Sequence, residues 1–145
     1  MTQTNRSTIR IAAALIVNSA GRTLLVRKRG TRTFMQAGGK IEPHESPAEA
    51  LVRELEEELG IRIAVDAPEY LGAFTAAAAN EAGHVVHADA FYIGTDLGTN
   101  LEAVTAREIE EIVWIEPGEC SLPLAPLTRD HLLPIAIRRA LRAGS

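Results

Sequence analysis

The sequence predicts an α+β domain in which a mixed sheet is covered by helices on the outside. Three observations carry this. Strand-like segments outnumber helix-like ones, and the two kinds are interleaved along the chain. One segment, Ser46–Leu59, carries a full set of helix start and stop signals. The 145 residues, 46% hydrophobic and 23% charged, fit one domain over residues 1–145 with one core.

The elements follow in order. Residues 1–7 are polar and are expected to fray. Thr8–Asn18 is rich in Ile, Val and Ala and reads as a strand. Ser19-Ala20-Gly21-Arg22 is a turn signal, and Thr23–Arg29 reads as the returning strand of a hairpin. Gly30–Gly39 reads as a loop closed by two glycines. In the helix, Ser46 suits the N-cap, Pro47 the first helical position, and Glu49 completes a capping box with Ser46. Gly60 is the stop. Ile61–Val65, Tyr70–Ala78 and His84–Gly94 read as strands, with a turn at residues 80–83. Ile112–Ile115 reads as a short strand. Leu127–Arg142 reads as a helix that Pro134 bends or delays.

Composition narrows the function. A single cysteine, Cys120, excludes an internal disulfide framework and a multi-cysteine zinc site. The first residues show no basic flank, apolar run and cleavage site, and no 18-residue apolar stretch occurs. A cytoplasmic protein with no membrane partner is therefore expected. The net charge of −4 argues against a nucleic-acid binder working by phosphate neutralisation. That charge is local. Residues 39–61 hold seven Glu against Lys40 and Arg53, a balance of −5, which leaves +1 for everything else.

With Glu54 at 0° on a helical wheel of about 100° per residue, Glu57 falls near −60° and Glu58 near +40°. Ala48, Leu51, Val52, Leu55 and Leu59 form the core stripe, at about 60° to 160°. The three carboxylates thus share one arc at the rim of the core. Pairs about 6 Å apart repel by roughly 3 kcal/mol at an effective dielectric near 20. A divalent cation would remove this repulsion, and oxygen ligands suit Mg²⁺ or Mn²⁺ better than zinc. Spacing alone leaves a metal site and a solvated acidic face both open.

Gly39, five residues, Glu45, seven residues, and then Arg53-Glu54-Leu55-Glu56-Glu57-Glu58-Leu59-Gly60-Ile61 resemble the Nudix box at all nine of its constrained positions. The resemblance implies a Nudix-like α/β/α sandwich around a mixed central sheet. It also implies Mg²⁺-dependent hydrolysis of a pyrophosphate bond in a nucleoside diphosphate linked to a group X. Carried over position by position, it makes Glu54, Glu57 and Glu58 the metal-binding glutamates, with the Gly39 carbonyl often added to them. Glu45 and Arg53 correspond to a structural pair. The proton acceptor is Glu54 or Glu57, or a later carboxylate. The segment Glu108-Ile109-Glu110-Glu111 offers candidates, with Glu111 nearest the strand, against the reading that these are surface charges.

Arg27, Lys28 and Arg29 end the second strand, and alternation puts Arg27 and Arg29 on one face and Lys28 on the other. A guanidinium suits phosphate. Arg29 stands where the resemblance places a phosphate-contacting arginine, with Arg27 beside it, and Lys28 is read as solubilising. Aromatics are few, and Phe34, beside the box, is the best candidate to stack on a base. Ala37 replaces a proline that the family often has before the two glycines, and it is expected to loosen that loop without removing a ligand. Markers of other substrate classes are missing: no proline lies between Pro68 and Pro117, and Thr75–Ala79 is nearly all alanine. This favours a MutT-type nucleoside triphosphate pyrophosphohydrolase. The alternatives are hydrolysis of a nucleotide-sugar or other substrate of that class, and a non-catalytic nucleotide sensor. An isomerase on the same fold would want a cysteine near the site. Homodimerisation is left open.

Overall fold

The computed structural model describes residues 7–79, 81–94 and 108–143. Most of residues 1–7, and Asn80 of the predicted turn, lie outside them. Among the described residues there are seven strands and two α-helices: β1 (Thr8–Val17), β2 (Thr23–Lys28), β3 (Phe34–Met35), β4 (Ala37–Lys40), α1 (Pro47–Leu59), β5 (Glu69–Ala77), β6 (Val85–Gly94), β7 (Ile109–Ile115) and α2 (Leu133–Ala143). The sheet is mixed. β1 runs parallel to β6 along its whole length and antiparallel to β4, and β5 pairs antiparallel with β6. β2 lies between β7 and β3, antiparallel to both.

Strand β1 explains why its sequence is apolar without alternation. Ala12, Ala14 and Ile16 pack into the core under α1, together with Leu51, Leu55 and Leu59. Ala13 and Leu15 pack on the other side, with Leu127, Leu132 and Ala136 of the C-terminal helical region. A strand buried on both faces has no polar side to show.

The predicted hairpin forms only at its mouth, where Val17 pairs with Thr23. Beyond that point β1 and β2 diverge, because β1 is taken by β6 and β4, and β2 by β7 and β3. The predicted loop Gly30–Gly39 contains the two short strands that fill this gap: β3 on β2 and β4 on β1. Ala37 does not loosen it. The residue is fully buried and pairs with Ala14.

Ile61–Val65 is not a strand. The Gly60 N–H bonds to the Glu56 carbonyl and the Ile61 N–H to the Leu55 carbonyl, with Gly60 at φ 67°. This is a Schellman-type ending, which uses the backbone group a strand would need. Ile61 and Ile63 pack into the α1 core instead. β7 starts three residues earlier than predicted, so Glu110 and Glu111 lie inside it. The last helix does begin late. Thr128–Leu132 is a π-helical turn in which the Leu133 N–H reaches the Thr128 carbonyl. The wider turn comes just before Pro134, whose ring would crowd an α-helical carbonyl.

Candidate active site

The N-cap of α1 is as predicted. Ser46 Oγ accepts from the Glu49 N–H at 3.1 Å, and Glu49 Oε1 from the Ser46 N–H at 2.8 Å. This anchors the helix start and sets its rotation. Leu51, Leu55 and Leu59 face the core, and the carboxylate arc faces β4. Ala50 lies on that arc and is fully buried, because β4 approaches closely there.

The two box glycines are needed for different reasons. Gly38 has φ 134°, and a Cβ on it would overlap the Ala12 carbonyl oxygen. Gly39 needs its bareness for a side chain: a Cβ would sit 2.7 Å from Glu54 Oε1. The Glu54 carboxylate is therefore seated directly on the glycine backbone.

Arg53 gathers the acids. Its Nε donates to Glu45 Oε2 at 2.6 Å and its Nη2 to Glu45 Oε1 at 2.9 Å, a bidentate pair. Nη2 also reaches the Lys40 carbonyl at 3.0 Å, tying helix to strand. Nη1 donates to both Glu54 Oε2 (3.1 Å) and Glu57 Oε1 (3.3 Å). Arg53 holds the Glu45 carboxyl down to about 2, helped by the Glu42 N–H. Glu45 in turn raises the Arg53 guanidinium above its ordinary value.

The three arc glutamates differ sharply in environment. The Glu57 side chain is 60% exposed. Glu54 is partly buried, which raises its pKa against the opposing pull of Arg53. Glu58 is only 5% exposed, and burial pushes its carboxyl up to about 7 although the Gly38 N–H donates to it at 3.2 Å. A carboxyl raised in the folded state from 4.5 favours folding fully below pH 4.5 and loses that contribution as pH rises through 7. In chelator, stability is therefore expected to fall by about 3 kcal/mol between pH 4.5 and 7.5 from this group. Urea unfolding of the wild type and Glu58→Gln at several pH values checks this. An equal slope in the variant would refute it.

Among the described residues no three acidic, His or Cys side chains converge as a ready cation cage. Even so, the donor set suits a hard divalent ion: three carboxylates beside a bare glycine backbone. Arg53 already places a positive charge between Glu54 and Glu57. Glu54, Glu57, Glu58 and the Gly39 carbonyl are the groups that would hold such an ion.

The other predicted residues fall elsewhere. Arg27 Nε pairs with Glu111 at 3.2 Å, and Arg29 Nη1 with Glu110 at 2.7 Å. Lys28 is the residue turned to the box. It follows Leu24 and Val26, both in the α1 core, and its charge lowers the pKa of Glu54 and Glu58. That parity was readable in the sequence. Glu111 thus faces Arg27, and the carboxylate of its segment that Glu58 senses is Glu108. Phe34 is only 6% exposed and has Arg27 over its ring at 5.9 Å, so it offers no open face to a base. Cys120 lies beside Arg22 and Trp114, at the other end of β2 from Lys28, which leaves the isomerase reading without its cysteine.

Sequence and structure comparisons agree with one another. A family model described as NUDIX domain matches residues 8–134. The chain is 37% identical over 137 residues to the CTP pyrophosphohydrolase of Escherichia coli (strain K12), covering 89% of this chain and 93% of that one. It is 39% identical over 70 residues to the 8-oxo-dGTP diphosphatase of Haemophilus influenzae, covering 46% and 51%. The crystal structure of the MutT protein from Methanosarcina mazei Go1 superimposes with a TM-score of 0.71 at 26% identity, covering 94% and 97%.

Proposed function

This chain belongs to the NUDIX domain family and is a Nudix hydrolase, and from that premise we propose that it hydrolyses the pyrophosphate bond of a nucleoside triphosphate with Mg²⁺, for which Mn²⁺ can substitute. The observation that carries the reading is the Glu54 carboxylate seated on Gly39 and held, with Glu57, by Arg53. A non-catalytic sensor has no need to keep all three carboxylates. The near full-length likeness to a protein named CTP pyrophosphohydrolase supports a triphosphate over a nucleotide-sugar.

Bound at Glu54, Glu57, Glu58 and Gly39, the metal would neutralise phosphate charge and acidify water. The chain does the rest. Glu57, the most exposed of the three, takes the proton of the attacking water. Arg53 restrains Glu54 and Glu57, which limits how far the acceptor strays. Lys28 presents its charge to the bound phosphates without leaving any ion pair seen among the described residues. Arg27 and Arg29 reach phosphate by exchanging Glu111 and Glu110, a small loss of about 0–1 kcal/mol for the exposed Arg29 pair and a larger one for the partly buried Arg27. Glu111 then serves to hold Arg27 rather than to accept the proton.

The test is product release from CTP, GTP, ATP, a nucleotide-sugar and ADP-ribose, with Mg²⁺, with Mn²⁺ and in chelator. Metal-dependent turnover of triphosphates is expected. Turnover of the nucleotide-sugar alone, or of nothing, would overturn the proposal.

A further inference from the structure

Beside the box lies an open pocket of about 130 Å³. Ile9, Ile11, Val86 and Leu127 give it apolar walls, and Lys28 and Gly39 lie on its box side. Gly39 is therefore shared between this pocket and the seat of Glu54. A flat apolar group placed here would leave its phosphates at the carboxylates.

One buried polar side chain interrupts the apolar lining. Gln36 is 9% exposed and stands at the step where the chain leaves β2, at β3, and joins β1, at β4. Its N–H donates to Thr128 Oγ1 at 3.1 Å rather than to a strand. Thr128, 1% exposed and first in the π-helical turn, gives its own hydroxyl proton to Gln36 Oε1. The two bonds lock the amide. Oε1 is used, and Nε2 keeps both hydrogens with no partner among the described residues. Nε2 is not among the fully buried unpaired atoms of the described residues, so it keeps an opening through which a ligand acceptor in the pocket that Gln36 lines can reach it.

We propose that Gln36, held by Thr128, is a specificity-determining residue that donates from Nε2 to a carbonyl oxygen of the nucleobase. This rests on the nucleoside triphosphate reading above. Cytosine and guanine carry such a carbonyl. Adenine has no exocyclic oxygen at all: it carries an amine where guanine carries O6, and only hydrogen at C2, so the donor finds no partner on it. A site built around a hydrogen bond rejects the analogue that lacks it far better than an apolar wall does.

The experiment measures kcat and KM for CTP, GTP and ATP with Mg²⁺ in the wild type, Gln36→Met, Thr128→Val and Thr128→Ser. Calorimetry of the same nucleotides runs in parallel. The wild type is expected to favour CTP and GTP over ATP by about 10-fold or more in kcat/KM. Gln36→Met should narrow the gap to about 3-fold, chiefly by raising KM for CTP and GTP and, to a smaller extent, by lowering it for ATP. Thr128→Ser should keep the preference, and Thr128→Val should weaken it. An equal loss for all three nucleotides, or an unchanged preference in Gln36→Met, would overturn the proposal, as would a wild type blind to the base. If nothing is turned over, the triphosphatase reading fails, and the calorimetric CTP-to-ATP ratio still decides the role of Gln36.

Discussion

Glu57→Gln is expected to lower kcat on the preferred triphosphate by about 10²–10⁴-fold, the range for loss of a positioned proton acceptor. The fold should not notice. The Glu57 side chain is 60% exposed and makes one 3.3 Å bond, to Arg53 Nη1. Exposed changes of this kind stay within about 0.5 kcal/mol of neutral. Glu56→Gln is the internal control. It sits one residue away with the same chemistry, but its carboxylate meets Arg62 at 3.0 Å, away from the box. It should keep near-normal turnover. Steady-state kinetics and thermal melts on both variants give the answer, and full activity in Glu57→Gln would remove the central role given to the arc.

The two box glycines should separate stability from activity. Gly38→Ala is expected to cost about 3–5 kcal/mol, from a strained positive φ together with overpacking against backbone that cannot move aside. That is a large part of the total stability of a domain this size. Gly39→Ala meets only the movable end of the Glu54 side chain. It should cost about 1 kcal/mol or less, yet displace a carboxylate that must be placed closely. A shift near 1 Å can lower turnover by about 100-fold. Denaturant melts and kinetics on the pair check this contrast. Equal stability losses, or normal turnover in Gly39→Ala, would count against the seat assigned to Glu54.

Much of the site was legible because it is local. The capping box, the glycine stop and the arc of Glu54, Glu57 and Glu58 lie within one helix, where a period of 3.6 relates spacing to direction. Glu45 and Arg53, eight residues apart, also meet. The errors came where a partner was distant. Ile61 read as strand because its composition is the same in both roles, and only its N–H, spent on Leu55, distinguishes them. The partners of Arg27 and Arg29, Glu111 and Glu110, lie 84 and 81 positions away, and no local pattern announced them.

The sequence by itself determined the family, the acidic helix with its caps, and the mixed α+β character, since each is written in residues close together. The tertiary structure alone decided that Glu111 meets Arg27 and that Phe34 is covered. It alone joined Gln36 to Thr128 across 92 positions of chain. The reason is physical. Side-chain direction within an element follows from backbone geometry, but what it meets depends on how strands diverge and helices cross, and no local pattern encodes that.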